Sequence, residues 1–139
     1  LRDKYIGIRG CMELATKEAL INVKHLILPG NQIADEGLEA LAESPYLKNL
    51  ELLNANHNEI GDDGAIAIAN TENLPNLKDL SMFGNVIGDR GAQALADSPH
   101  SKKYLKLDLY KNQYTRIGYK ALTESENLKN CEELEVYRE

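Results

Sequence analysis

The stretch Leu77-Lys78-Asp79-Leu80-Ser81-Met82-Phe83-Gly84-Asn85-Val86-Ile87-Gly88-Asp89-Arg90-Gly91-Ala92-Gln93-Ala94-Leu95-Ala96 holds one structural unit, and its reading decides the fold. After Leu77, Leu80 and Met82 alternate with Asp79 and Ser81, the two-residue period of a short strand with one buried face. Gly84 and Asn85 end that strand. A short amide side chain at a tight bend can bond backbone groups that the turn leaves unpaired. Val86 and Ile87 return the chain inward. Asp89 then stands where a helix N-cap belongs, its carboxylate available to the first free amides. Ala92, Leu95 and Ala96 follow at i, i+3, i+4 spacing, the inward face of a short amphipathic helix.

A step of 27 residues in either direction recovers the same pattern. Asn31, Asn58, Asn85 and Asn112 are evenly spaced, as are Gly37, Gly64, Gly91 and Gly118. Val23, Leu26, Leu28 and Ile33 are matched by Leu50, Leu53, Ala55 and Ile60, by Leu77, Leu80, Met82 and Ile87, and by Tyr104, Leu107, Leu109 and Tyr114. A fixed period of this length marks a solenoid, in which no unit buries its apolar face without a neighbour. The recurring asparagines should stack into an internal ladder. Asp35 and Asp62 take the same N-cap place as Asp89, and Ser44-Pro45 and Ser98-Pro99 end two helices. The prediction is an α/β, right-handed solenoid with parallel strands near residues 25–29, 52–56, 79–83 and 106–110. Helices should start close to Asp35, Asp62, Asp89 and Arg116. Because a helix is wider than the strand spacing of roughly 5 Å, the strands take the concave side and the helices the convex.

One solenoid covers residues 1–139: a partial first repeat 1–22, full repeats 23–49, 50–76 and 77–103, a degraded repeat 104–130 and a partial last repeat 131–139. In the degraded unit Arg116 replaces the aspartate, Tyr114 the isoleucine and Tyr119 a small residue, while Ser101 falls where Leu47, Leu74 and Leu128 stand. This unit should be looser or locally distorted, with the larger tyrosines filling space in a wider turn. Both ends cut through the repeat without a polar capping unit, which predicts a piece of a longer repeat protein, a monomer or weak dimer through its uncapped ends.

A net charge of −6 gives no general attraction to nucleic acid or anionic membrane, so neither is an expected partner. No apolar run approaches a membrane span, and the polar opening shows no signal peptide. Cys11 and Cys131 occupy apolar repeat positions too far apart for a disulfide, which predicts two buried free thiols. That favours a reducing address, either cytoplasmic or that of a secreted effector acting in a host cytoplasm.

The pattern L-x-x-L-x-L-x-x-N-x-I-x-x-x-G-x-x-x-L-A resembles the ribonuclease-inhibitor-like class of leucine-rich repeats. Gly91-Ala92-Gln93-Ala94-Leu95-Ala96, altered to Gly64-Ala65-Ile66-Ala67-Ile68-Ala69 and Gly37-Leu38-Glu39-Ala40-Leu41-Ala42, is similar to bacterial Gly-Ala-x-x-Leu-Ala repeat proteins, some of them secreted effectors. The resemblance covers essentially the whole chain. It implies protein recognition on the concave face, with any activity supplied by a separate domain.

Strand alternation orders the exposed face into rows. The first is His25, Leu52, Asp79, Lys106 and Glu133; the second is Ile27, Asn54, Ser81, Asp108 and Glu135; the third is Pro29, Asn56, Phe83, Tyr110 and Tyr137. Phe83, Tyr110 and Tyr137 should form an aromatic ridge, and interfaces are enriched in such residues. The candidate protein-binding residues are Asp79, Phe83, Lys106, Asp108, Tyr110, Glu135 and Tyr137, with a protein or peptide of basic or mixed surface as partner. A structural spacer segment is the alternative, and its face would be evenly polar.

Catalytic, metal and cofactor roles find no support in the residues. His25, His57 and His100 fall at different repeat positions, without a second ligand at metal spacing. Asp62-Asp63 beside Asn58 and Glu59 lacks the ligand order of a calcium loop. Gly30 and Gly84 belong to no phosphate-binding motif. Asp108 and Glu135 could share a proton, but on an open sheet they lack the enclosure that such chemistry wants.

Overall fold

Leu26, Leu53, Leu80 and Leu107 are each the inward residue of a three-residue strand, and all four are buried. The computed structural model describes residues 2–136. Strands β1 (His25–Ile27), β2 (Leu52–Asn54), β3 (Asp79–Ser81), β4 (Lys106–Asp108) and β5 (Glu133–Glu135) form one parallel sheet in sequence order. Each strand residue pairs with the residue one repeat later, as His25 with Leu52 and Leu52 with Asp79. Helices α1 (Gly7–Leu14), α2 (Ala34–Glu43), α3 (Asp62–Asn70), α4 (Asp89–Asp97) and α5 (Arg116–Thr123) form the second layer, each packed on the next. This is the α/β solenoid that the period predicts. The core is the strip between the layers, where Leu38, Leu41, Ile68 and Leu95 from the helices meet the inward strand residues.

The strands are shorter than the expected five residues, yet pairing runs on past them. Leu28 donates to Asn54, Gly30 to Asn56, His57 to Phe83 and Gly84 to Tyr110, all through backbone groups. The third exposed row, from Pro29 to Tyr110, is therefore held in register although it lies beyond the strands.

The asparagine ladder is present, and it joins repeats. The Asn85 side-chain oxygen accepts from the amides of Asn58 at 2.8 Å and Ile60 at 3.0 Å, while its Nδ2 donates to Ala55 and Met82 carbonyls. Asn58 does the same for Asn31 and Ile33, and Asn112 accepts from Ile87. Asn31, Asn58 and Asn85 are buried; Asn112 is half-buried.

A second polar column escaped the sequence reading. Ser44, Thr71, Ser98 and Ser125 donate their hydroxyls to the carbonyls of Ala15, Ala42, Ala69 and Ala96, at the C-terminal ends of the preceding repeats' helices. Each oxygen also accepts the amide two residues on, as from Tyr46 and His100. Ser44 and Ser98 do follow helix ends, as expected, but they also close the carbonyl end of the helix beneath.

The aspartates correct an expectation. Asp35, Asp62 and Asp89 do not cap their own helices. Asp62 and Asp89 are the first helical residues, after Gly61 and Gly88, and Asp35 lies one residue inside α2. Each carboxylate reaches the helix of the following repeat instead. Asp35 accepts from Gly61 and Gly64, Asp62 from Gly88 and Gly91, and Asp89 from Thr115 and Gly118, at 2.7–2.9 Å. The next helix's free amides face these carboxylates because the glycine column lets adjacent helices approach. A Cβ on Gly91 would lie 2.9 Å from that of Ala65 on α3.

The Thr115 hydroxyl holds the Asp89 carboxyl below its ordinary range against the opposing effect of burial, and the Thr115 and Gly118 amides add to the lowering. A carboxyl lowered by folding contributes stability above its unfolded pKa and loses it as pH falls through the folded one. Asp89→Asn is therefore expected to destabilise the chain at neutral pH and to match the parent in acid. Thr115→Val should raise the Asp89 titration midpoint, read by carboxyl-carbon NMR. A midpoint unmoved by that change would exclude this coupling.

The degraded repeat keeps both its strand, β4, and its helix, α5. Tyr104 fills the place of Leu50 and Leu77 and is fully buried, while the smaller Ser101 three residues earlier is buried too and donates to Leu95 at 2.6 Å. The smaller residue sits inside one short 3₁₀ turn, Pro99–Lys103, and the larger one directly follows it. Thr115 supplies the cap that Arg116 cannot, accepting from Ile117. The Tyr104 hydroxyl finds no partner among the described residues, and burial pushes its pKa up. Tyr104→Phe should raise stability by about 1 kcal/mol by removing a buried unpaired hydroxyl. A lower urea midpoint would show that the hydroxyl is bonded.

Both cysteines are free. Cys11 is buried and its thiol is pushed up to about 12 by desolvation. Cys131, expected to be buried, is only half so, as are Leu134 and Val136, since no helix follows over them among the described residues.

Candidate functional site

Strand pairing places the outward side chains as the alternation requires, with His25, Leu52, Asp79, Lys106 and Glu133 in one row and Ile27, Asn54, Ser81, Asp108 and Glu135 in the next. In the third row the Phe83 and Tyr110 rings stack at 6.0 Å with an interplanar angle of 16°. Tyr137, the expected third ring, lies outside the described residues.

Two side chains that the row pattern did not include complete the cluster. His57 meets Phe83 edge-on at 5.1 Å, and the Lys111 ammonium stands 5.6 Å from the Phe83 ring centre. Both occupy one repeat column, Asp3, Gly30, His57, Gly84 and Lys111, in which every residue has a left-handed backbone with φ between 50 and 69°. Glycine alone adopts that conformation without cost. Where it is present it makes room for the previous repeat, because a Cβ on Gly84 would strike the His57 ring at 2.4 Å. His57 and Lys111 thus hold side chains beside Phe83 at positions where glycine would be less strained. The alternation of Gly with larger residues in this column was the available sequence signal.

Polar neighbours fix the ridge. The Asn56 side-chain oxygen accepts from the Ser81 hydroxyl at 2.7 Å and the Phe83 amide at 2.8 Å, and Asp108 accepts from the Tyr110 amide at 3.0 Å. Asp108, read as a partner contact, thus also sets the Tyr110 backbone.

Asp79, Lys106, Asp108, Glu133 and Glu135 surround a shallow depression of about 160 Å³. Lys106 pairs with Glu133 at 3.1 Å, and that hydrogen bond raises its pKa. Of the proposed contacts, Phe83, Asp79 and Asp108 are half-buried, and Lys106, Tyr110 and Glu135 are exposed. Among the described residues no group of three or more histidines, cysteines and acids is placed to hold a metal, and no helix is long and apolar enough to cross a membrane.

Three stretches of the chain, residues 19–42, 46–69 and 73–96, match the family described as "Leucine Rich repeat". A solved structure, "Leiomodin-1 Actin-Binding Site 2 (ABS2)", superposes with a TM-score of 0.61 at 20% identity, over 89% of this chain and 77% of that one. At that identity the likeness speaks for the fold. No curated protein sequence gives a significant match.

Proposed function

The chain belongs to the leucine-rich repeat family, and from that premise we propose that it is a protein-binding module whose contact surface is its exposed sheet face. The stacked Phe83–Tyr110 pair, flanked by His57 and Lys111, carries this reading. Rigid amphipathic rings present contact area at little entropic cost, which is why interfaces favour them. A spacer would gain nothing from His57 and Lys111 at strained backbone positions where glycine suffices.

The unbroken helical layer supports placement with the ribonuclease-inhibitor-like class, and the Gly91–Ala96 element supports likeness to the bacterial Gly-Ala-x-x-Leu-Ala proteins. The buried thiol of Cys11 suits a reducing address, the cytoplasm of the native cell or of a host.

The test is capture of partners from lysate by the parent chain and by a Phe83→Ser/Tyr110→Ser variant. The parent should retain proteins that the variant loses, with the variant still folded by circular dichroism. His57→Gly relieves backbone strain and should fold at least as stably, yet bind more weakly. Identical capture by all three chains would refute the sheet face as the contact surface.

A further inference from the structure

The exposed sheet face changes character between β2 and β3. Over β1 and β2 its first two rows hold His25, Ile27, Leu52 and Asn54, without an acid or a lysine, and Ile27 is 46% exposed. Over β3 to β5 the same rows hold Asp79, Asp108, Glu133 and Glu135 against the single Lys106, a balance of −3. The change runs along the stack, across the strands. A ligand reading the whole face must therefore differ in chemistry from one end to the other.

Building on the binding function proposed above, we infer that the partner presents a segment crossing the strands, with apolar side chains over β1–β2 and lysine or arginine over β3–β5. Charge complementarity sets the basic end, because the carboxylates outnumber the lysine that accompanies them. The exposed Ile27 and half-buried Leu52 set the apolar end, where burial gains from an apolar partner and a charge would be desolvated without a counterion. Phe83 borders the junction, with Tyr110 stacked on it one strand further, and the pair accepts either the apolar stem or the cationic head of a long basic side chain.

Strand spacing fixes the separation. The centre of the apolar half lies between β1 and β2 and that of the acidic half at β4, about 12 Å apart at the usual strand spacing. That is about two turns of helix or about four residues of extended chain. Lys106 acts as the resident cation of the acidic half. It pairs with Glu133 in the free protein and competes with the partner's charge for the same carboxylates.

The experiment is selection of random peptides, long enough to cross the sheet, against the whole chain. Affinities of synthesised winners are then measured by fluorescence anisotropy at low and high salt. The winners should carry a basic and an apolar cluster at the stated separation. Asp79→Asn with Asp108→Asn, which keeps the side-chain oxygen that bonds Tyr110, should weaken them by about tenfold at low salt and less at high salt. Lys106→Met should tighten them several-fold, a gain that a structural role for Lys106 would not give. A photo-crosslinker beside the basic cluster should label β4 or β5, and one beside the apolar cluster β1 or β2. Winners that are acidic or uniform, weaker binding to Lys106→Met, or crosslinks without end preference would overturn this inference while leaving sheet-face binding intact. Winners indifferent to Phe83→Ser/Tyr110→Ser, or no winners at all, would overturn the binding reading itself.

Discussion

Asn85→Ala is expected to lower the stability of the chain by about 3 kcal/mol, because four buried backbone groups lose a partner at once and only the Met82 carbonyl keeps another, the Asn112 side-chain amide. The side-chain oxygen serves the amides of Asn58 and Ile60, and Nδ2 serves the carbonyls of Ala55 and Met82. Asn85 is 4% exposed, so water cannot replace these bonds without opening the turn. Three of the four groups belong to the preceding repeat, so the change also loosens one unit from the next. Asn54→Ala is the control. Asn54 is half-buried on the open face and its side-chain oxygen accepts from the Asn56 amide at 3.1 Å, so loss of that side chain should cost less than about 1 kcal/mol. Urea midpoints measured side by side decide it. Equal midpoints would mean that the ladder does not hold the stack together.

Gly91→Val should be comparably damaging, by preventing α4 from docking on α3. Even the first added carbon would stand 2.8 Å from the Ile87 side chain, 2.9 Å from Ala65 and 2.9 Å from the Asp62 carboxylate. Neither Ala65 nor the pinned carboxylate can yield without moving α3 or breaking the bond that Asp62 accepts from the Gly91 amide. Overpacking of this kind costs about 1–3 kcal/mol, and loss of the cap adds about 1 kcal/mol more. Gly61→Ala provides the contrast, since its nearest neighbours would be 3.3 Å or more away and its backbone has an ordinary φ of −109°. Gly91→Val should lose helical circular dichroism on mild warming while Gly61→Ala does not. Similar melting of the two would show that the glycine column is not a contact between helices.

Much of this architecture was legible in the residues. The spacing of Asn31, Asn58, Asn85 and Asn112 predicted the ladder, and alternation from Leu80 predicted the strand, its register and both outward rows. The helix starts were right to within a residue, yet the work of Asp35, Asp62 and Asp89 was misread. A carboxylate at a helix start looks like a cap for that helix, and nothing along the chain shows that another helix's amides lie closer. Ser44 and Ser98 were legible as terminators but not as partners of Ala15 and Ala69. Ser101 was legible as a departure from the leucine column but not as a donor to the Leu95 carbonyl. His57 was missed because the left-handed backbone of its column becomes visible only when Gly30 and Gly84 are compared across repeats.

The sequence by itself determined the period, the columns that are buried and the rows that are exposed. Those follow from apolar spacing within a unit, which is local. Only the tertiary structure decided where the polar side chains spend their hydrogen bonds. Asp62 reaches α4, Ser98 reaches back to Ala69, and His57 reaches the Phe83 ring. Each of these contacts joins one repeat to another. It exists because stacking brings groups about a full period apart in sequence within bonding distance, while glycine at the helix contacts lets neighbouring units come close enough to make it.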